Sequence, residues 1–134
     1  MSEKFQYDKY HFEKLDDEPF LIFTAYNSYS MAEDAEESVK VTFDLLNHIN
    51  EPIYYILDWQ DIDPLNMEDV SVGAMSVALS QNPLFKHPKF LGIGFVTSSE
   101  ILAMAAKGLD SELYGHIKIE IFDSVDDAVN FFRQ

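Results

Sequence analysis

The sequence contains no cysteine. Disulfides, thiol nucleophiles and cysteine-ligated metal sites are therefore excluded outright. Basic residues are scarce, with 9 Lys and Arg against 24 Asp and Glu and a formal net charge of −15. So acidic a chain repels phosphate backbones and anionic bilayers, which argues against nucleic acid or a membrane surface as partner. No apolar run approaches the ~20 residues of a membrane helix. The start, Met1 to Asp8, has neither a basic opening nor an apolar core, so no secretory signal is read there. Together these absences predict a cytoplasmic protein. Tryptophan occurs once, at Trp59.

Apolar material is what the chain has in quantity. It amounts to 47% of 134 residues, with 11 Phe and 7 Tyr. That is enough for one domain, residues 1–134, burying roughly two-thirds of its unfolded surface. The stretch Lys89 to Thr97 is nearly all apolar or glycine between Pro88 and Ser98, and it reads as a strand buried on both faces. Such a strand needs helices on both sides of its sheet.

Residues 5–15 interleave aromatic and polar residues and read as one edge strand. The turn Asp16-Asp17-Glu18-Pro19 joins it to a second strand over 20–26, and so short a link makes a hairpin. Ser30 and Glu33 form a capping box, and Ala35, Val39, Phe43, Leu46 and Ile49 mark one buried helical stripe as far as Asn50. Pro52 to Asp58 is a third, central strand. Asn66 caps a helix with Val70, Ala74, Val77 and Ala78 inward. Thr97, Ser98 or Ser99 caps another, with its stripe at Ile101, Ala105, Leu109 and Leu113. His116 to Phe122 alternates strictly, as a strand near an edge does. Ser124 opens a terminal helix whose Val125, Ala128, Val129 and Phe132 cover the sheet.

The predicted class is α/β, in the order β-β-α-β-α-β-α-β-α. The sheet is mixed, mostly parallel and five-stranded, with helices on its faces. This order, together with His87-Pro88-Lys89, Phe90 to Ser98, and Ile119 to Ser124 followed by Val125 to Phe132, resembles the STAS-like fold of anti-sigma-factor antagonists. It is most similar to small uncharacterised STAS-like bacterial proteins, from about Phe20 onward. The resemblance implies a non-enzymatic regulatory or scaffolding domain that works through protein contacts, with a homodimer among its assemblies. In antagonist-type relatives, a strand ending Leu-Asp leads to a helix start that carries a phosphorylated serine. Leu57-Asp58 matches the strand end, but the helix start reads Asn66-Met67-Glu68-Asp69. Met67, which has no hydroxyl, stands at the phosphoserine position, and Ser71 falls inside the helix. The resemblance thus extends to the fold and not to a phosphorylation cycle.

A ligand or partner site is expected at the carboxyl ends of the parallel strands, at Asp58, Trp59, Asp61, Thr97, Ser98 and Ser99, with Asp63, Asp123 and Ser124 nearby. Helix capping accounts for Thr97 to Ser99 and Ser124 without a ligand. Trp59 reads equally as an interface anchor or as packing under its loop. Asp58, Asp61 and Asp63 have a spacing like that of a calcium loop, but Pro64 and the lack of a following glycine break the pattern. The four histidines (His11, His48, His87, His116) show no paired metal spacing. Gly92-Ile-Gly94 lies inside a strand, where it serves close helix packing rather than a nucleotide. No catalytic residue, metal or cofactor is predicted. The reading from a different class is a small-molecule or lipid-binding module with an apolar pocket between sheet and helices.

Overall fold

The computed structural model describes residues 2–26, 28–29, 31–61, 87–98, 100–108 and 118–133. Six strands form one sheet in the order β1-β2-β3-β4-β5-β6. They are β1 (Ser2–Gln6), β2 (Tyr10–Leu15), β3 (Phe20–Ala25), β4 (Ile53–Asp58), β5 (Phe90–Val96) and β6 (Glu120–Phe122). The helices are α1 (Met31–His48), α2 (Glu100–Gly108) and α3 (Val125–Phe132). The pairs β1–β2 and β2–β3 are antiparallel, and β3 through β6 run parallel. The helix predicted from Asn66, the caps at Ser30 and Ser99, and the stripe predicted for the helix after Thr97 lie outside the described residues or side chains.

Two expectations about strands are corrected. Residues 5–15 are not one strand but two, so the sheet has six strands rather than five. Tyr7 N donates to Tyr10 O at 3.0 Å and closes a turn between them. The aromatics show why: Phe5 and Tyr7 keep one phase of the two-residue period, and Tyr10 and Phe12 keep the other. A continuous strand would send these pairs to opposite faces, whereas folding back sets Phe5 opposite Phe12. The second correction concerns burial in β5. Ile93, Phe95 and Val96 are buried, but Leu91 is 55% exposed, beside a register shift between Ile53 and Tyr54 of β4. Only the second half of that strand is enclosed. The last strand is also shorter than predicted.

Strand alternation divides the core. Phe12, Leu21, Phe23, Tyr55, Leu57, Ile93 and Phe95 face α1, where they meet Leu46. Phe20, Ile22, Ile56 and Val96 face α3, where they meet Ala128 and Val129. The α1 stripe is more polar than its sequence pattern indicated. Ser38, Thr42 and Leu46, spaced four apart, are its buried centre, while Phe43 and Ile49 are only partly buried. Thr42 Oγ1 donates to Ser38 O at 2.7 Å and lies 3.3 Å from the Tyr55 hydroxyl, and Tyr29 Oη lies 2.9 Å from Ser38 Oγ. Burial pushes both tyrosines up, Tyr29 to about 12 and Tyr55 further, so both remain neutral donors.

Two local devices tie the layers together. Lys89 Nζ donates to the carbonyls of Leu46 and Ile49, which cap the carboxyl end of α1 from the start of β5; a cation there also meets the negative end of the helix dipole. Gly92 and Gly94 admit α3. A Cβ at Gly92 would stand 2.8 Å from Phe132 Cε1, and one at Gly94 would stand 3.0 Å from Phe122 Cε2. Phe132 meanwhile stacks on Tyr54 at 4.7 Å.

Replacing Gly92 with Ala is expected to cost about 1–2 kcal/mol in urea denaturation by overpacking against Phe132. The same change should cost less in a Phe132→Leu background, where the ring is gone. Lys89→Met should cost about 1 kcal/mol through the lost carbonyl cap, with the same readout.

Candidate functional site

At the carboxyl edge of the parallel strands, Asp58, Trp59, Thr97 and Ser124 serve the fold. Trp59 is 5% exposed, packed between Phe95 at 4.9 Å and Tyr29 at 6.3 Å, so its indole is part of the core. Among the described residues its buried Nε1 has no hydrogen-bond partner. Asp58 Oδ1 accepts from Gln60 N at 3.2 Å and Gln60 Nε2 at 3.1 Å, which makes the turn that leaves β4. Thr97 is buried, its amide donating to Phe122 O at 3.2 Å, while Ser98, Asp61 and Asp123 are exposed. Ser124 caps α3 by accepting from Asp127 N at 3.1 Å. Ser99, Asp63 and Met67 lie outside the described residues. In the described sheet β3 to β6 follow chain order, so no reversal opens the crevice that usually receives ligands in open α/β sheets.

Sequence reasoning missed two other places. The first is a polar cluster on the α3 side of the sheet, over the antiparallel strands. His11 stands opposite Thr24, and Thr24 opposite Asp58. Tyr26 Oη lies 2.8 Å from His11 Nδ1 and accepts from Gln6 Nε2 at 2.6 Å. Partial burial lowers the His11 pKa below its ordinary value, Lys4 adds to that, and Glu13 and Asp58 oppose it. The sequence signal was a histidine at the phase opposite the buried Tyr10 and Phe12, with no partner close in the chain.

The second place is a groove of about 510 Å³ between the β1–β2 hairpin and the second half of α1. Phe5, Tyr7, Val41, Leu45 and Ile49 form its apolar walls, and Glu3, Lys14, Asp44 and His48 line it with polar groups. Val41, Leu45 and His48 recur at helical spacing on α1, while Phe5 on β1 and Tyr7 just past its end follow strand spacing. The apolar signal was therefore legible, but the closeness of these two elements required the β1–β2 turn. Lys14 lines the groove with its charge already occupied: Nζ donates to Leu15 O and Glu18 O, each at 2.7 Å, and pairs with Glu51 at 3.2 Å. His48 Nδ1 lies 2.8 Å from Asp44 O, one turn earlier on α1.

Among the described residues no group of three metal-ligating side chains comes together, and no helix is long and apolar enough to cross a membrane. The class this geometry defines is an α/β domain with a SpoIIAA-like fold, the STAS-like plan that the sequence resembles. A similar solved structure is an uncharacterized protein of the DUF3478 family from Shewanella loihica PV-4, described as having a SpoIIAA-like fold. It matches with a TM-score of 0.58 over 98% of this chain and 94% of its own, at 17% identity. That likeness establishes the fold. No family model and no curated protein matches the sequence.

The His11 cluster predicts a pH dependence. Its folded pKa lies below the ordinary 6.5, so the unfolded chain takes up the proton first as pH falls. Stability is then intact above about pH 6.5 and declines as pH drops from there through the folded pKa. His11→Asn should flatten that part of a urea-stability profile. Glu18, held below its ordinary 4.5 by Arg133, loses its contribution in a separate window, below pH 4.5.

Proposed function

We propose that this protein is a non-enzymatic, cytoplasmic SpoIIAA-like module that regulates or scaffolds through protein contacts, without the phosphoserine of antagonist-type relatives. The observation that carries the reading is the use of the carboxyl-edge side chains. Among the described residues, Trp59, Asp58, Thr97 and Ser124 go to core, turn and cap, which supports a surface that works by contact. The surface supplies apolar contacts at Leu91, Met104 and Phe131, exposed by 55%, 59% and 49%. Phe131 sits beside Phe122 at 5.4 Å, on a helix already packed on the sheet, so a partner meets it without rearrangement. A second copy is one such partner. The strongly acidic surface disfavours nucleic acid and anionic membranes.

Crosslinking in a host lysate and light scattering on the purified chain test this. A discrete complex or dimer is expected, weakened about tenfold by Phe131→Ser, as loss of a central aromatic contact typically does. A strictly monomeric protein that crosslinks to nothing would remove the reading.

A second reading, a small-molecule or lipid-binding module, is favoured by one observation. The 510 Å³ groove lies between sheet and helix and is walled by apolar side chains, within the usual ~300–1,000 Å³ of ligand sites. Native mass spectrometry of protein from its own host is expected to show a bound small molecule that Val41→Trp displaces. Unliganded protein at every stage of purification would sink it.

A further inference from the structure

We infer that the groove between α1 and the β1–β2 hairpin takes a small amphipathic cation: a protonated amine on an aliphatic or aromatic body. This rests on the small-molecule reading of the groove and adds the sign of the ligand's charge.

The argument is one of charge complementarity. Burial in the apolar walls is indifferent to the head group, so the polar lining decides what binds. Of the charged groups there, Lys14 has all three of its donors engaged, by Leu15 O, Glu18 O and Glu51. Its side chain is only 17% exposed, and its charge is matched by Glu51 just outside the groove. Glu3 stands opposite Lys14 in the β1–β2 ladder, yet the ammonium bonds to none of its oxygens. Among the described residues, no group makes a hydrogen bond or ion pair to the Glu3 and Asp44 carboxylates that line the groove. His48, with Nδ1 directed at the Asp44 carbonyl, keeps Nε2 as a further acceptor. The open groups are therefore acceptors and the donor is spent. An anionic head would find two carboxylates and no free cation; an ammonium would find both carboxylates free. The chain's charge of −15 adds long-range attraction of the same sign.

The test uses three probes of one chain length, n-octylammonium, n-octanol and n-octanoate, each below its micelle concentration. They are titrated into the full chain and followed by backbone amide NMR shifts. Octylammonium should shift the amides of Phe5, Val41 and Leu45, and bind about fivefold or more tightly than octanol, with octanoate weakest. The surface pair Glu3→Gln with Asp44→Asn should erase the preference of ammonium over octanol. Asp126→Asn, on α3 across the sheet, should leave it unchanged.

Octanol or octanoate binding in the groove as tightly as octylammonium would overturn the inference while leaving the groove reading intact. A preference for ammonium that survives the carboxylate pair would mark mere attraction to an acidic surface, and also overturns it. Failure of every probe to shift those amides would remove the inference and the groove reading together.

Discussion

The structure depends on β4 being held between two parallel neighbours and buried on both faces. Ile53, Tyr55 and Leu57 point to one side, and Tyr54 and Ile56 to the other, so each face needs its own cover. On one side that cover is α1, built around Leu46; on the other it is α3, built around Ala128 and Val129. Because crossovers between parallel strands need intervening chain, α1 is also the connection from β3 to β4, whereas α3 follows the last strand. The same strand thus sets the layers, the chain order and the position of both sheet edges.

The two covers are unequal, and that inequality shapes the surface. α1 runs 18 residues and its far end passes under the antiparallel hairpin, leaving the groove between Val41, Leu45 and Phe5. α3 has only 8 residues and packs against β4, β5 and β6. Over β2 and β3 that face instead carries His11, Thr24 and Tyr26, with Tyr26 joined to His11 and Gln6 by short hydrogen bonds. Among the described residues, the groove and the polar cluster therefore both lie at the antiparallel edge, away from the carboxyl ends of the parallel strands. The SpoIIAA-like likeness concerns the fold, and the functional reading rests on these local arrangements.

Legibility in the sequence followed the range of the interactions. The central place of β4, the Ser124 cap, the inner face of α3 and the role of Gly92 and Gly94 were all readable, because each rests on residue type and spacing within one element. The turn between Tyr7 and Tyr10 was encoded as a change of phase in the aromatic pattern, but the alternation of polar and aromatic residues masked it as one strand. The centre of the α1 stripe was missed for another reason. Ser38 and Thr42 count as polar in any periodicity, and only the hydroxyls of Tyr29 and Tyr55 make their burial favourable. Trp59 illustrates the same limit, since a lone tryptophan at a strand end reads alike as anchor or core until Tyr29 and Phe95 are seen around it.

By itself, then, the sequence determined the α/β class, the strongly acidic charge balance and the exclusion of cysteine chemistry. These follow from composition and from short-range periodicity, which backbone geometry converts directly into faces. Tertiary structure alone decided the sixth strand, the groove under α1, and the commitment of Lys14 to Glu18 and Glu51 that leaves Glu3 and Asp44 free. The physical reason is that each of these is a contact between segments whose separation along the chain carries no periodic signal, so it exists only once the sheet has brought them together.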